Sequence, residues 1–317
     1  MDLRKGCLTK QLFFLDAIRG LSMKYMHFLS SCSYAGLANL LEDVGIDTED
    51  VSIAVSICLP WLLGREENKG KIGKYSAGAM LQGKEWFDLY LKPLGWRFAE
   101  TRYEKREALG CFMPGSMIGM RVLKQSKHAV IYRGRSGLKY VFFNNRRKEG
   151  NEPDQIILSE EELLEKLDDT VCVGRLETGS REEVNFIPLL EQSKKNWELW
   201  LSEFQDFAAL RQEREVLCHT QNTFFRAFLL DAPAVCGLFT TEVGRGYEGK
   251  GRENFPEEET LFKQQKERLI CLQSQYLEAM RRGEALVLAR EMDMELVRYT
   301  IHIFLELIDK KLKIMAG

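Results

Sequence analysis

Residues 127–145 read KHAVIYRGRSGLKYVFFNN. Two runs rich in β-branched and aromatic residues, HAVIYRG and LKYVFFN, stand on either side of Arg135, Ser136 and Gly137. Two such runs around a short turn that contains glycine predict a β-hairpin. His128 opens the first strand and Asn144 ends the second, so the hairpin is expected to bring these two side chains together.

Further strands are predicted on both sides of this hairpin. WRFAETRY from Trp96, SMIGMRVL from Ser116 and TVCVGRL from Thr170 are typical of extended structure. Ser159, with Glu162 three residues later, predicts a capping box that opens a short helix. Earlier in the chain, residues 30–45 read SSCSYAGLANLLEDVG and carry apolar residues at helical spacing up to a glycine. Helices followed by an antiparallel sheet predict an α+β domain.

The second half of the chain has a different pattern. After the polar stretch ETGSREEVN at 177–185, Pro188 suits a first helical turn, and Trp197 and Trp200 begin an apolar stripe at helical spacing. We therefore predict two domains: an α+β domain at 1–180 and an all-helical domain at 186–317. The glycine-rich loop at 244–258 lacks the ending of a phosphate-binding loop, and the sequence leaves open whether it closes as a lid.

Composition narrows the classes of function. The chain has 317 residues, 45% hydrophobic and 29% charged, with a formal net charge of -2. These values favour a soluble protein and argue against a nucleic-acid partner. Charged residues interrupt the apolar N-terminal stretch, so we expect no membrane partner and a cytoplasmic location. Eight scattered cysteines without a CxxC pair are expected to be thiols, and no metal or cofactor is predicted.

Cys32 has the setting of a reactive thiol. The start of a helix stabilises a thiolate, and the small residues around Cys32 leave room for a cleft. His128 would then accept the thiol proton, and Asn144, 16 residues later, would orient the imidazole. The alternatives are that Cys32 is a buried cysteine near a helix start, and that Asn144 belongs to a turn that ends a strand.

This arrangement resembles the papain-like superfamily of cysteine enzymes, in which a cysteine at a helix start precedes a hairpin that carries histidine and then asparagine or aspartate. The bacteriocin-leader peptidases share the pattern, and the butirosin biosynthesis protein H type is more similar. The latter pairs its catalytic-like domain with a helical one. The motifs that carry the resemblance are CSYAGLANLLEDVGI, GKEWFDLYLKPLGW, MIGMRVL with HAVIYRG, LSEEELLEKL and TQNTFFRAFLLDAP.

The resemblance implies a papain-like fold with Cys32 as nucleophile, His128 as base and Asn144 as orienter. It implies acyl or amide-bond chemistry through a thioester on Cys32, in a peptide or secondary-metabolite pathway. An acidic acyl carrier protein is a candidate donor, an amine is a candidate acceptor, and a peptide is the alternative substrate. The sequence leaves the acyl group and the oligomeric state open.

Two departures keep other functions open. Leader peptidases usually have Gln six residues before the cysteine and Asp-Cys-Gly around it, whereas this chain has Met26 and Ser31-Cys32-Ser33. His27 is the alternative candidate for an oxyanion donor. Peptide hydrolysis is therefore the second choice, and a non-catalytic binding module is the third. Residues 133–148 carry six basic and no acidic residues, which predicts either a solvated face or a dock for an acidic partner at Arg133, Arg135, Arg146 and Arg147.

Overall fold

The computed structural model describes residues 31–67, 73–123, 126–147, 153–209, 256–282 and 291–316. Its helices are α1 (Cys32–Asp43), α2 (Asp50–Ser56), α3 (Lys84–Leu91), α4 (Lys105–Cys111), α5 (Glu160–Lys166), α6 (Ile187–Ala209), α7 (Pro256–Arg281) and α8 (Glu291–Ala316). Its strands are β1 (Leu63–Glu66), β2 (Lys74–Ala77), β3 (Trp96–Glu104), β4 (Ser116–Leu123), β5 (Ser126–Ser136), β6 (Lys139–Arg147), β7 (Pro153–Leu158) and β8 (Thr170–Thr178). The described chain therefore mixes helices with antiparallel sheets, which confirms the α+β class.

The chain divides into two compact units. The first contains residues 31–53 and Gly83–Glu182, and the second contains the described residues of 54–82 and 183–316. The segment 54–82, which the sequence places with the first domain, thus groups with the later helices.

The first unit is built on a six-stranded antiparallel sheet in the order β3-β8-β4-β5-β6-β7. The predicted hairpin forms the fourth and fifth strands of this order, and β5 pairs with β6 from Val130 opposite Asn144 to Ser136 opposite Lys139. The turn therefore consists of Gly137 and Leu138. Gly137 has φ +62°, a left-handed conformation that glycine adopts without steric cost.

One face of this sheet forms an apolar core with the two short helices α4 and α5. The capping box at the start of α5 is present as predicted, because the Ser159 side chain accepts from the Glu162 amide and the Glu162 side chain accepts from the Ser159 amide. Short helices gain most of their stability from such packing and capping. The buried residues of this core are Ala108, Leu109, Phe112, Ile118, Met120, Val130, Tyr132, Tyr140, Phe142, Leu158, Leu163, Leu167, Val171 and Val173.

A chain of aromatic rings connects α1 to α3 and the sheet. Tyr34 of α1 meets Phe87 edge-on at 5.2 Å between ring centroids, and Phe87 meets Phe98 of β3 in the same way at 5.0 Å. The Phe98 ring lies against Gly174 of β8. Edge-to-face pairs of this kind add to the stability that burial alone provides. These edge-on rings hold α1 in place, and α1 also contacts β5 and β6.

In the second unit, buried polar side chains of α6 hold the segment that leads into β1. The Ser193 hydroxyl accepts from the Leu63 amide at 2.7 Å and donates to the Trp61 carbonyl at 2.6 Å. Asn196 donates to the Leu63 carbonyl at 2.6 Å. Trp197 packs edge-on against Phe304 of α8, with ring centroids 5.0 Å apart. These bonds satisfy backbone groups that would otherwise be costly to bury, which explains why 54–82 belongs to this unit.

The ring of Phe98 leaves no room for a side chain at Gly174. A Cβ added there would lie 2.2 Å from Cζ of Phe98, and Phe98 is buried against Phe87. We expect Gly174→Ala to lower the free energy of unfolding by about 1–3 kcal/mol, measured by urea denaturation. Gly119→Ala on β4 is the matched control, because a Cβ there meets no atom within 4 Å. Equal denaturation midpoints for the two variants would contradict a close-packed contact at Gly174.

Candidate active site

Cys32 is the first residue of α1. Ser31 caps this helix: its backbone is extended, with φ -154°, and its hydroxyl accepts from the Tyr34 amide at 3.3 Å. The helical ladder then begins with the Ala35 amide, which donates to the Ser31 carbonyl at 3.0 Å. The first turn of α1 contains no acidic residue. The positive end of the helix dipole therefore acts on Cys32 without a nearby carboxylate on the same turn.

The Cys32 sulfur lies beside β5, at the start of the hairpin. The Ala129 amide donates to Sγ at 3.4 Å. A strand amide points in the plane of the sheet, and the pairing of β5 with β6 ends at the next residue, Val130. Because Ala129 follows His128, peptide geometry places the His128 Cα within about 6 Å of Sγ. The backbone of His128 thus lies close to the Cys32 sulfur, and the pairing of the two residues as thiol and base stays a prediction.

Asn144 lies on the neighbouring strand, on the same face as His128. It stands opposite Val130 and is 2% exposed. His128 precedes Val130 by two residues, so the pleat directs the His128 and Asn144 side chains to one face as diagonal neighbours. Nδ1 of His128 is shielded from solvent, and so is Oδ1 of Asn144. His128 and Asn144 therefore lie on one face at the end of the hairpin, and their assembly with Cys32 into a triad stays a prediction.

Asn144 has a partner that the sequence did not predict. Its Nδ2 donates to Oδ2 of Asp154 at 3.3 Å. Asp154 belongs to β7, an edge strand absent from the sequence prediction, and stands directly opposite Asn144. The available signal was the run of β-favouring residues Ile156–Leu158 before the Ser159 cap.

Charges beside His128 are already paired. Lys127 forms an ion pair with Asp168, and Arg121 contacts the other oxygen of that carboxylate at 2.7 Å. The hydrogen bond from Lys127 holds the pKa of the Asp168 carboxyl below its usual value. Lys127, which precedes His128 in the sequence, is thus paired with Asp168.

The other described cysteines have different surroundings. Cys58 is buried, Cys111 and Cys172 are partly buried, and Cys271 is exposed on α7. Burial, reinforced by the Glu100 carboxylate, raises the pKa of the Cys172 thiol. A raised pKa lowers the fraction of thiolate, which is the nucleophilic form.

The predicted docking residues are not equivalent. The Arg133 side chain is 2% exposed, pairs with Asp43 at the end of α1, and lies 5.4 Å from the ring centroid of Phe143. Its place in a surface dock was therefore predicted wrongly, because the guanidinium is enclosed. Arg135 is exposed and stacks on Tyr140 at 4.2 Å. The side chains of Arg146 and Arg147 lie outside the described part.

Several other predictions also fall outside the described residues. They are the oxyanion candidate His27, residues 244–255 of the loop predicted at 244–258, and the motif TQNTFFRAFLLDAP, whereas residues 256–258 begin α7. Within the described ranges, no group of three metal-ligating side chains comes together. No helix in those ranges has the length and apolar character that a membrane crossing requires.

Comparison with known proteins adds no assignment. Neither the models of known protein families nor the curated proteins include a match to this chain. The geometry of Cys32, His128 and Asn144 is thus the basis for proposing a function.

Removing the Arg133 guanidinium tests its structural role. Arg133→Ala leaves Asp43 without its buried cation and opens space beside Phe143, so we expect the free energy of unfolding to fall by about 2–4 kcal/mol. Arg135→Ala is the matched control on the same strand, and its exposed side chain predicts a loss below about 1 kcal/mol. Chemical denaturation of both variants measures the difference, and an equal effect would contradict the assignment of Arg133 as structural.

Proposed function

We propose that this protein is a cysteine-dependent acyltransferase or amide-bond enzyme that works through a thioester on Cys32. The observation that carries the proposal is the 3.4 Å contact between the Ala129 amide and Sγ of Cys32, which joins the helix start to the strand of His128. The resemblance to the butirosin biosynthesis protein H type supports the same reaction. The papain-like fold and the pairing of an α+β domain with a helical domain are parts of this proposal.

His128 would accept the Cys32 proton, and the thiolate would attack the carbonyl carbon of an acyl donor. The tetrahedral intermediate then collapses, the bond to the leaving group breaks, and His128 returns the proton to that group. An amine acceptor would next lose a proton to His128 and attack the Cys32 thioester. Its new C–N bond releases the Cys32 thiolate, which regains the proton from His128.

Negative charge on the intermediate needs hydrogen-bond donors close to the sulfur. The backbone amide of Cys32 lies in the first turn of α1, where the helix dipole favours an anion. A second donor, His27, remains a proposal from the sequence. Met26 stands where leader peptidases carry glutamine, so transfer from an activated thioester is favoured over cleavage of a stable amide.

A peptidase is the second candidate, because the predicted triad of Cys32, His128 and Asn144 would serve both reactions. The two differ in what removes the acyl group from Cys32: water in a peptidase and an amine in a transferase. A non-catalytic binding module, motivated by the Ser31-Cys32-Ser33 sequence, requires no reactive thiol at all.

Alkylation of the native protein separates the enzymes from the binding module. We expect iodoacetamide to label Cys32 at least about tenfold faster than the exposed Cys271, because His128 would accept the Cys32 proton as the thiol reacts. Peptide mapping by mass spectrometry measures both rates in one sample. Cys271 controls for simple access, and Cys172 provides a thiol whose raised pKa slows the reaction. An alkylation rate at Cys32 no higher than that at Cys271 would contradict the assignment of Cys32 as the nucleophile.

An acyl adduct tests the reaction itself. Incubation with short acyl thioesters of N-acetylcysteamine is expected to add the mass of one acyl group to Cys32, and Cys32→Ser is expected to abolish the adduct. Added amines should shorten the lifetime of the adduct and yield an amide, whereas a peptidase would release the acid at a rate independent of the amine. A reactive Cys32 that never forms an adduct would contradict acyl transfer.

A further inference from the structure

The hydrogen bond between Asn144 and Asp154 fixes the direction of a buried amide. An ionised carboxylate accepts hydrogen bonds and donates none, so only the NH₂ end of the Asn144 side chain can turn toward Asp154. Asn144 is 2% exposed, and Asp154 holds it from the opposing position of β7. The oxygen Oδ1 is therefore directed away from β7.

Oδ1 of Asn144 is buried and has no hydrogen-bond partner among the described residues. A buried acceptor in this state is uncommon and calls for a donor nearby. The pairing register makes His128 the diagonal neighbour of Asn144 on the same face, and a ring N–H is a suitable donor. The amide thus presents one end to a carboxylate and the other toward the side of the histidine.

We propose that Asp154 is a positioning residue that acts through Asn144 to select one tautomer and one orientation of His128. Its consequence for catalysis rests on the function proposed above, whereas the effect on the imidazole does not. The geometry also explains the residue type at position 144. An aspartate there would face Asp154 at hydrogen-bond distance, and two carboxylates so close repel each other.

The first test measures the imidazole directly. In protein labelled with ¹⁵N-histidine, long-range ¹H–¹⁵N correlations report the tautomer of His128, assigned with a His128→Ala variant. We expect one neutral tautomer in the wild type and a mixture in Asp154→Asn, because an amide at 154 accepts or donates and no longer fixes the direction of Asn144. Gln155→Ala is the control on the same strand, with an exposed side chain, and should retain one tautomer. Thermal unfolding confirms that each variant is folded.

The second test exchanges the two side chains. Asn144→Asp places carboxylates opposite each other, and we expect the rate of Cys32 alkylation near neutral pH to fall by about tenfold, a part of the roughly 10²- to 10⁴-fold effect of a positioned base. The double variant Asn144→Asp/Asp154→Asn restores one carboxylate and one amide, so most of the rate should return. The pH profile of alkylation should shift in the single variant and recover in the double one.

The outcomes separate this inference from the proposed function. A single His128 tautomer in both the wild type and Asp154→Asn would overturn the positioning role even if Cys32 forms acyl adducts. The positioning role would also be overturned if the folded double variant Asn144→Asp/Asp154→Asn were alkylated at Cys32 as slowly as Asn144→Asp. A tautomer change in Asp154→Asn supports the role even if Cys32 proves unreactive, in which case only the enzymatic proposal fails.

Discussion

The distance between α1 and the sheet is the constraint on which the rest of the first unit depends. It is set by the contact of the Phe98 ring with the bare backbone of Gly174 and by the edge-on rings of Phe87 and Tyr34. Aromatic rings in close contact behave as a nearly rigid spacer, because interior packing leaves little free volume. The spacer fixes the N-terminal end of α1, and with it Cys32, beside the start of β5. If Cys32 and His128 act as nucleophile and base, this separation decides how well they react, because a misplacement of about 1 Å can cost about 10²-fold in rate.

The sequence predicted the hairpin well because its two strands have strong and local signals. β-Branched and aromatic residues surround a short glycine turn, and the spacing of 16 residues between His128 and Asn144 follows from strand length. The Ser159 capping box was equally readable, since three positions define it. The contact of Asp154 with Asn144 could not be predicted from the sequence, because it depends on the strand order that places β7 next to β6. The segment 54–82 was assigned to the first unit for a related reason: Ser193 and Asn196, which hold it, come more than a hundred residues later.

Arg133 shows how an irregularity of the backbone changes the meaning of a charge. The run of basic residues after 133 suggests an exposed face, yet a β-bulge lies between Tyr132 and Gly134 and gives Gly134 a φ of 128°. A bulge redirects the side chain of the extra residue. Arg133 therefore turns toward Asp43 at the end of α1, whereas Arg135 remains exposed beside Tyr140. Charge counting along a strand cannot distinguish these two arginines, because the bulge depends on tertiary contacts.

The arrangement of charge around the candidate site is consistent with one mobile proton. Asp168 is neutralised by Lys127 and Arg121, and the first turn of α1 contains no carboxylate. Asp154 accepts a hydrogen bond from the neutral amide of Asn144. An amide in this position transmits orientation, since its two ends have opposite hydrogen-bonding character, but it adds no full negative charge beside the imidazole. A carboxylate in direct contact would stabilise the imidazolium more strongly and hold its proton more tightly. In the proposed relay, Asn144 would orient His128 and leave its proton available for transfer.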